Sequence, residues 1–242
     1  MVDVGGNVKK TGHRLGAVLT TILITLAMVL PPVSPPEPAV DLQVANTHLS
    51  QQDLTMVKLQ EFIPSLQIEM RYAGDNNIVG RPIYTRSQAY LRQGTAQKLK
   101  EAQEEFLRCG FSLKVWDAYR PPQAQFELWD EFPDARFLIN PHTGYSQHSH
   151  GTAVDVTLVD KHGNELDMPS DFDDFTGKAN RDYQDLSLDQ TNNALLLEMV
   201  MQEHGFDSIF YEWWHFIDHD RAYYDVVQPE SLPEERPAQA QR

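Results

Sequence analysis

The chain has 242 residues, with 35 Asp and Glu against 20 Lys and Arg and a formal net charge of −15. That balance excludes a protein whose affinity rests on neutralising nucleic-acid phosphates, which draws on Lys and Arg. A single Cys excludes an intramolecular disulfide framework and any multi-cysteine metal site, while 41% hydrophobic residues suffice for a core.

The charge is uneven. Residues 1–40 carry Lys9, Lys10 and Arg14 against Asp3 and Glu37, a charge of +1, so the remainder stands at −16. Leu15 to Leu30 is an uncharged apolar run of sixteen residues. Basic residues ahead of such a run predict a secretory signal or an N-terminal membrane anchor through residues 15–30, with the body exported. A spanning helix usually needs about 17–25 apolar residues, so an anchor here would be a short one. The proline-rich 31–40 reads as a linker. Residues 41–227 then make one domain, and the polar segment 228–242 reads as a disordered tail.

Within the domain, 65–72 alternates as a strand. Residues 95–108 predict an amphipathic helix capped by Thr95, with Leu99, Ala102, Phe106 and Leu107 inward and Gly110 as the stop. Residues 111–119 predict a strand, and Pro121–Pro122 open a helix. In the strand 152–160, Val154, Val156 and Leu158 take one face and Ala153, Asp155 and Thr157 the other. Residues 187–204 predict a helix with Leu195, Leu196, Met199 and Val200 as its apolar face, ended by Gly205, and 209–217 predicts a last strand. Strands and helices mix without a βαβ rhythm. The expected class is α+β, a mostly antiparallel sheet with helices packed against it in a single domain.

Two segments carry the chemistry: Ser146-Gln147-His148-Ser149-His150-Gly151-Thr152-Ala153-Val154-Asp155, and Glu212-Trp213-Trp214-His215. A catalytic zinc takes three protein ligands and leaves one position open, and His148, Asp155 and His215 would supply such a set. Glu212 would then be free as general base. Plainer readings stand beside this one. The histidines could be solvated loop residues, Asp155 could face water, and the tryptophans could be core. Residues i and i+3 of a regular strand lie on opposite faces, so Glu212 and His215 can share a site only if a turn or bulge intervenes.

The pair S-x-H-x-x-G-x-A-x-D and E-W-W-H resembles the signature of the D-alanyl-D-alanine dipeptidases, the VanX-type zinc peptidases related to D,D-carboxypeptidases and hedgehog-like peptidases. Met70-Arg71-Tyr72-Ala73 with Asp75-Asn76-Asn77, Trp116-Asp117-Ala118-Tyr119-Arg120-Pro121, and Asp167-Met168 with Phe172-Asp173-Asp174-Phe175 extend the resemblance over about residues 60–225. It implies one zinc per chain on His148, Asp155 and His215, with Glu212 as general base. It implies Arg120 as the group that stabilises the oxyanion, where a structural salt bridge to Asp117 is the plain alternative. For the substrate ammonium it implies Asp173 with Ser146, and Tyr72 as a pocket wall; Asp171 and Asp174 rival Asp173. Phe126 and the Trp213–Trp214 pair are further candidate walls. The implied activity is hydrolysis of a small D,D-dipeptide in cell-wall peptide turnover. Two rivals are a D,D-carboxypeptidase or peptidoglycan endopeptidase acting on longer peptides, and a non-catalytic, zinc-stabilised wall-binding domain.

Overall fold

A computed structural model describes residues 49–233. Its centre is a five-stranded sheet of β2 (Gln67–Ile68), β4 (Ser112–Asp117), β5 (Ala153–Val159), β6 (Phe206–Ile209) and β7 (Glu212–Asp218), in the order β2-β4-β5-β7-β6. Only the β2–β4 pair is parallel. A separate two-stranded ribbon joins β1 (Met56–Lys58) to β3 (Tyr90–Arg92). The helices are α1 (Leu59–Phe62), α2 (Gln93–Arg108), α3 (Pro122–Glu131), α4 (Gln147–His150) and α5 (Leu188–Glu203). The α+β class with a mostly antiparallel sheet is therefore the observed one.

The central strand β5 is buried along its whole length. Val154, Val156 and Leu158 join a core with Leu99, Ala102 and Phe106 of α2 and with Ala194, Leu197, Val200 and Met201 of α5. Each Val, Leu, Phe or Met among them contributes roughly 1.5–3 kcal/mol by leaving water. The opposite face of β5 carries Asp155 and Thr157, and it is buried too. Asp155 thus does not face water, which removes the plain reading of that residue.

Several element expectations shift in detail. The strand expected over 65–72 shrinks to two paired residues, after which Arg71–Ala73 turns as a 3-10 helix and carries Tyr72 inward. Helix α2 begins two residues early, and Thr95 does not cap it; its hydroxyl donates to Asp218 at 2.6 Å. Leu107 is exposed rather than core. In α5 the phase is rotated: Leu195 and Met199 are exposed, while Ala194, Leu197, Val200 and Met201 are buried. An almost unbroken apolar stretch has no polar face to fix its phase, so tertiary contacts decide. Glu198 is one of those contacts, accepting from Tyr183 at 2.9 Å and Ser208 at 2.7 Å. Ser187, by contrast, builds a capping box with Gln190 at the start of α5. The last strand is a hairpin of β6 and β7 turning at Phe210-Tyr211.

The expected signal or anchor and its linker lie outside the described residues. Among the described residues no helix is long and apolar enough to cross a membrane. At the other end, Pro229–Ser231 form a 3-10 turn and Leu232 packs on a cluster of Tyr90, Tyr119 and Val227. The first residues of the segment expected to be a disordered tail are thus placed against the domain.

Candidate active site

Three adjacent strands present the site. β5 offers Asp155, and β7 lies beside it with Asp155 paired to His215. β4, on the other side, pairs Asp117 with Asp155 across a register shift that leaves Trp116 as an extra residue. The geometric conflict at Glu212 and His215 is resolved by an irregularity of the β6–β7 hairpin. Ser208 sits opposite Phe216, yet the next residue, Ile209, sits opposite Glu212. Trp213, Trp214 and His215 are left without partners on β6. Such a bulge re-aims side chains, and both residues reach one site.

His148 arrives from the short helix α4. Ser146 is its N-cap, and the Ser146 hydroxyl accepts the His148 N–H at 3.3 Å. Gly151 ends α4 in the left-handed region at φ 73°, the turn that sends the chain straight into β5. A Cβ there would also press on Met56 at 3.0 Å and on the Arg92 backbone nitrogen at 3.3 Å.

The His148, Asp155 and His215 ligand atoms all lie within 4.8 Å of one another. His215 Nδ1 is 2.8 Å from Asp155 Oδ1 and 3.2 Å from His148 Nε2, which is 3.4 Å from Asp155 Oδ2. The far side of His148 fixes its tautomer. Nδ1 is 2.7 Å from the Ala118 carbonyl, which can only accept, so Nδ1 carries the proton and Nε2 keeps its lone pair for the cluster. Two imidazole nitrogens and a carboxylate converging in a buried place are a fitting donor set for a divalent metal of the zinc type. His150 is not part of it; its Nδ1 meets the Tyr224 carbonyl at 2.8 Å.

Around this cluster is a cavity of about 170 Å³ lined by Tyr72, Arg120, Ser146, His148, Asp155, Asp173, Glu212, Trp214 and His215, with Phe137 and Phe175 among the remaining walls. Glu212 Oε2 is 3.7 Å from His215 Nδ1. Burial raises the Glu212 carboxyl well above its ordinary range, with the Asp155 and Asp173 carboxylates adding to the effect. Burial pushes the Asp155 carboxyl up too, but the neighbouring imidazoles of His148 and His215 outweigh it and hold the group low. His215 is kept below its usual value, chiefly by burial.

Arg120 forms the salt bridge that was its plain alternative, donating from Nε at 3.2 Å and from a terminal nitrogen at 2.9 Å to Asp117 Oδ2. It still lines the cavity, with Gln125 Oε1 accepting at 2.9 Å and the Tyr72 ring 5.1 Å below. Asp173 also lines the cavity, at φ 60°, a left-handed conformation tolerated by Asp. It accepts from the Tyr72 hydroxyl at 2.9 Å and from the Ile78 N–H at 2.9 Å. Asn77 organises the loop that delivers Ile78, donating to the carbonyls of Arg71, Gly74 and Arg81. Burial raises the Asp173 carboxyl to about 7 despite these donors. Neither rival, Asp171 nor Asp174, lines the cavity. Phe172 anchors the loop by packing on Tyr72, Trp116 and Trp214. Trp214 is a wall, Trp213 is core beside Trp116, and Phe126 packs on His142 outside the cavity.

The profile of the peptidase M15 family, described as D-Ala-D-Ala dipeptidase, matches residues 52–230. The chain belongs to this family. It is 38% identical over 161 residues to the D-alanyl-D-alanine dipeptidase of Escherichia coli K12, covering 66% of this chain and 83% of the relative. Two further D-alanyl-D-alanine dipeptidases are each 28% identical. That of Enterococcus faecium matches over 68% of this chain and 92% of its own length, and that of Enterococcus faecalis V583 over 69% and 93%. This M15 chain is therefore a metallopeptidase by family, and its metal-ligand candidates are the three residues gathered at the cavity.

Several contributors carry little or no signal in the sequence. Asp117 appeared only as a rival partner for Arg120, and the Ala118 carbonyl not at all, although both lie inside the Trp116–Pro121 block. Tyr84 and Phe137 take their places from loops and Gln125 from α3, so no shared spacing announces them.

Proposed function

We propose that this chain hydrolyses the D-alanyl-D-alanine dipeptide, with zinc held by His148, Asp155 and His215. One observation carries the reading. A carboxylate suited to an ammonium, a guanidinium suited to an oxyanion, a buried basic carboxyl and a metal-ligand triad all open onto one small cavity. When bound, the metal supplies Lewis acidity and makes water acidic enough to attack at neutral pH.

The remaining chemistry belongs to the side chains. Asp173, supported by Tyr72, binds the free ammonium of the dipeptide, with Ser146 lining the same cavity. Arg120 meets the negative charge that develops on the scissile carbonyl oxygen, an interaction stronger in the transition state than in the ground state. Glu212 takes the proton from the attacking water and returns it to the leaving amine. Its raised affinity for protons suits both steps. Trp214, Phe137 and Phe175 wall the cavity against bulk water.

Longer wall peptides are the second reading. They place no free ammonium at the residue that precedes the scissile bond, so the buried Asp173 would receive no cation from the substrate. A non-catalytic wall-binding module would have no use for Glu212. The basic-then-apolar pattern of residues 9–30 supports an exported, membrane-attached or periplasmic enzyme that salvages D-alanine from wall turnover. The test compares D-Ala-D-Ala with a pentapeptide ending in D-Ala-D-Ala. The proposal requires turnover of the dipeptide and none, or far less, of the pentapeptide; the reverse preference would refute it.

A further inference from the structure

The role given to Arg120 requires that its guanidinium be aimed, and the aim depends on what holds Asp117. Asp117 is completely buried and pairs with a cation that is itself 4% exposed. Its two oxygens serve more than Arg120. The Ala118 N–H donates to Oδ1 at 2.9 Å, and the Tyr84 hydroxyl reaches both oxygens, at 2.8 and 3.0 Å. Burial raises the Tyr84 phenol well above its ordinary value, and Asp117 adds to this, so the proton stays on the phenol and the carboxylate accepts. The same carboxylate lies 3.6 Å from His148 Nδ1.

A guanidinium has five N–H groups. Here two donate to Asp117 and one to Gln125, which leaves two for the cavity. Which way those two point follows from where Asp117 Oδ2 sits. Tyr84 is the only hydroxyl among the described residues bonded to that carboxylate, and it comes from a loop that supplies no residue of the cavity wall. Its backbone is pinned too, with Tyr84 N–H donating to the Tyr72 carbonyl at 2.9 Å.

We infer that Tyr84 is a positioning residue for the reaction: its hydroxyl fixes the Asp117 carboxylate, which sets the guanidinium of Arg120 toward the developing oxyanion. This rests on the reading of Arg120 as the oxyanion group. Hydrogen bonds to charged, buried groups are among the strongest a protein makes, and losing one frees its partner to move. A displaced Arg120 weakens the transition state more than the ground state.

The experiment compares the wild type, Tyr84→Phe, Arg120→Ala and the chain carrying 4-aminophenylalanine at position 84. Each is assayed for kcat and KM on D-Ala-D-Ala, metal content and Tm. Tyr84→Phe is expected to lower kcat about 10- to 100-fold, with KM within about threefold and metal retained. 4-Aminophenylalanine, which puts an N–H donor where the hydroxyl was, is expected to recover most of that loss; it also covers the case in which Tyr84→Phe does not fold. A lowered Tm with kcat within twofold of wild type, a loss carried wholly by KM, or no recovery with 4-aminophenylalanine would overturn the inference. Wild-type kcat in Arg120→Ala would instead refute the underlying reading of Arg120.

Discussion

Replacing Asp173 by Asn tests whether burial, rather than a chance of placement, sets the state of the carboxyl proposed to bind the substrate ammonium. The side chain keeps its shape, loses its charge and exchanges one acceptor oxygen for an NH2 donor. In the native chain the carboxyl is raised from 3.8 to about 7, first by burial. A raised carboxyl favours folding below its unfolded pKa, and that contribution drains away as pH rises through the folded value. At pH 5 the native group still holds its proton while the unfolded group has lost it, a difference of about 2.7 kcal/mol at 1.36 kcal/mol per pH unit. By pH 8 both forms are ionised and the difference is gone. Asn does not titrate, and whatever it costs to present an amide to the Tyr72 and Ile78 donors is the same at both pH values. The stability of Asp173→Asn relative to wild type should therefore improve by about 2.5 kcal/mol between pH 5 and pH 8. Urea unfolding of the chelated proteins at the two pH values measures it, with the metal removed so that its charge does not enter. A difference that does not change with pH would refute the claim that burial drives this carboxyl toward neutrality. With metal restored, the same variant should lose about 10- to 100-fold in kcat/KM on the dipeptide.

Glu212→Gln should cut kcat at least about a thousandfold, since it removes both proton transfers, while elemental analysis still finds one metal per chain. Asp155→Ala should abolish stoichiometric metal binding, because it removes one of three ligands and leaves two buried imidazoles facing each other; isothermal titration with zinc checks this. Gly151→Ala should destabilise the fold by about 1–3 kcal/mol, read from urea midpoints, because φ 73° is strained for alanine and the Cβ meets Met56 and the Arg92 backbone. In α5, Leu197→Ala should cost about 2–5 kcal/mol, whereas Met199→Gln, on the exposed face, should stay within about 0.5 kcal/mol.

Much of this site was legible because its chemistry is compressed into short blocks. Ser146 to Asp155 spans a cap, a ligand, a left-handed glycine and a second ligand, and each residue does there what its type does best. Glu212 and His215 were legible as residues but not as geometry. Their shared site depends on a hairpin in which three residues of β7 have no partner on β6, and spacing cannot reveal that. Asp173 was distinguishable from Asp171 and Asp174 only once Tyr72 and the Ile78 N–H were seen to converge on it from a loop about a hundred residues earlier. The fold class followed from the strand and helix pattern. The phase of α5 did not, because Leu, Met, Val and Ala occupy nearly every position of its middle turns. Tyr84 belongs to the same category as Asp173, a long-range contact with no local signature.

The central claim is that these groups act together on a dipeptide with a metal at their centre. The most direct measurement is hydrolysis of D-Ala-D-Ala by the purified protein, with metal analysis of the same sample before chelation, after chelation and after zinc is returned. The account predicts release of D-alanine with about one metal per chain, loss of activity as the metal is removed, and recovery with zinc. Undiminished hydrolysis by the metal-free protein, or no hydrolysis with the site fully loaded, would contradict it.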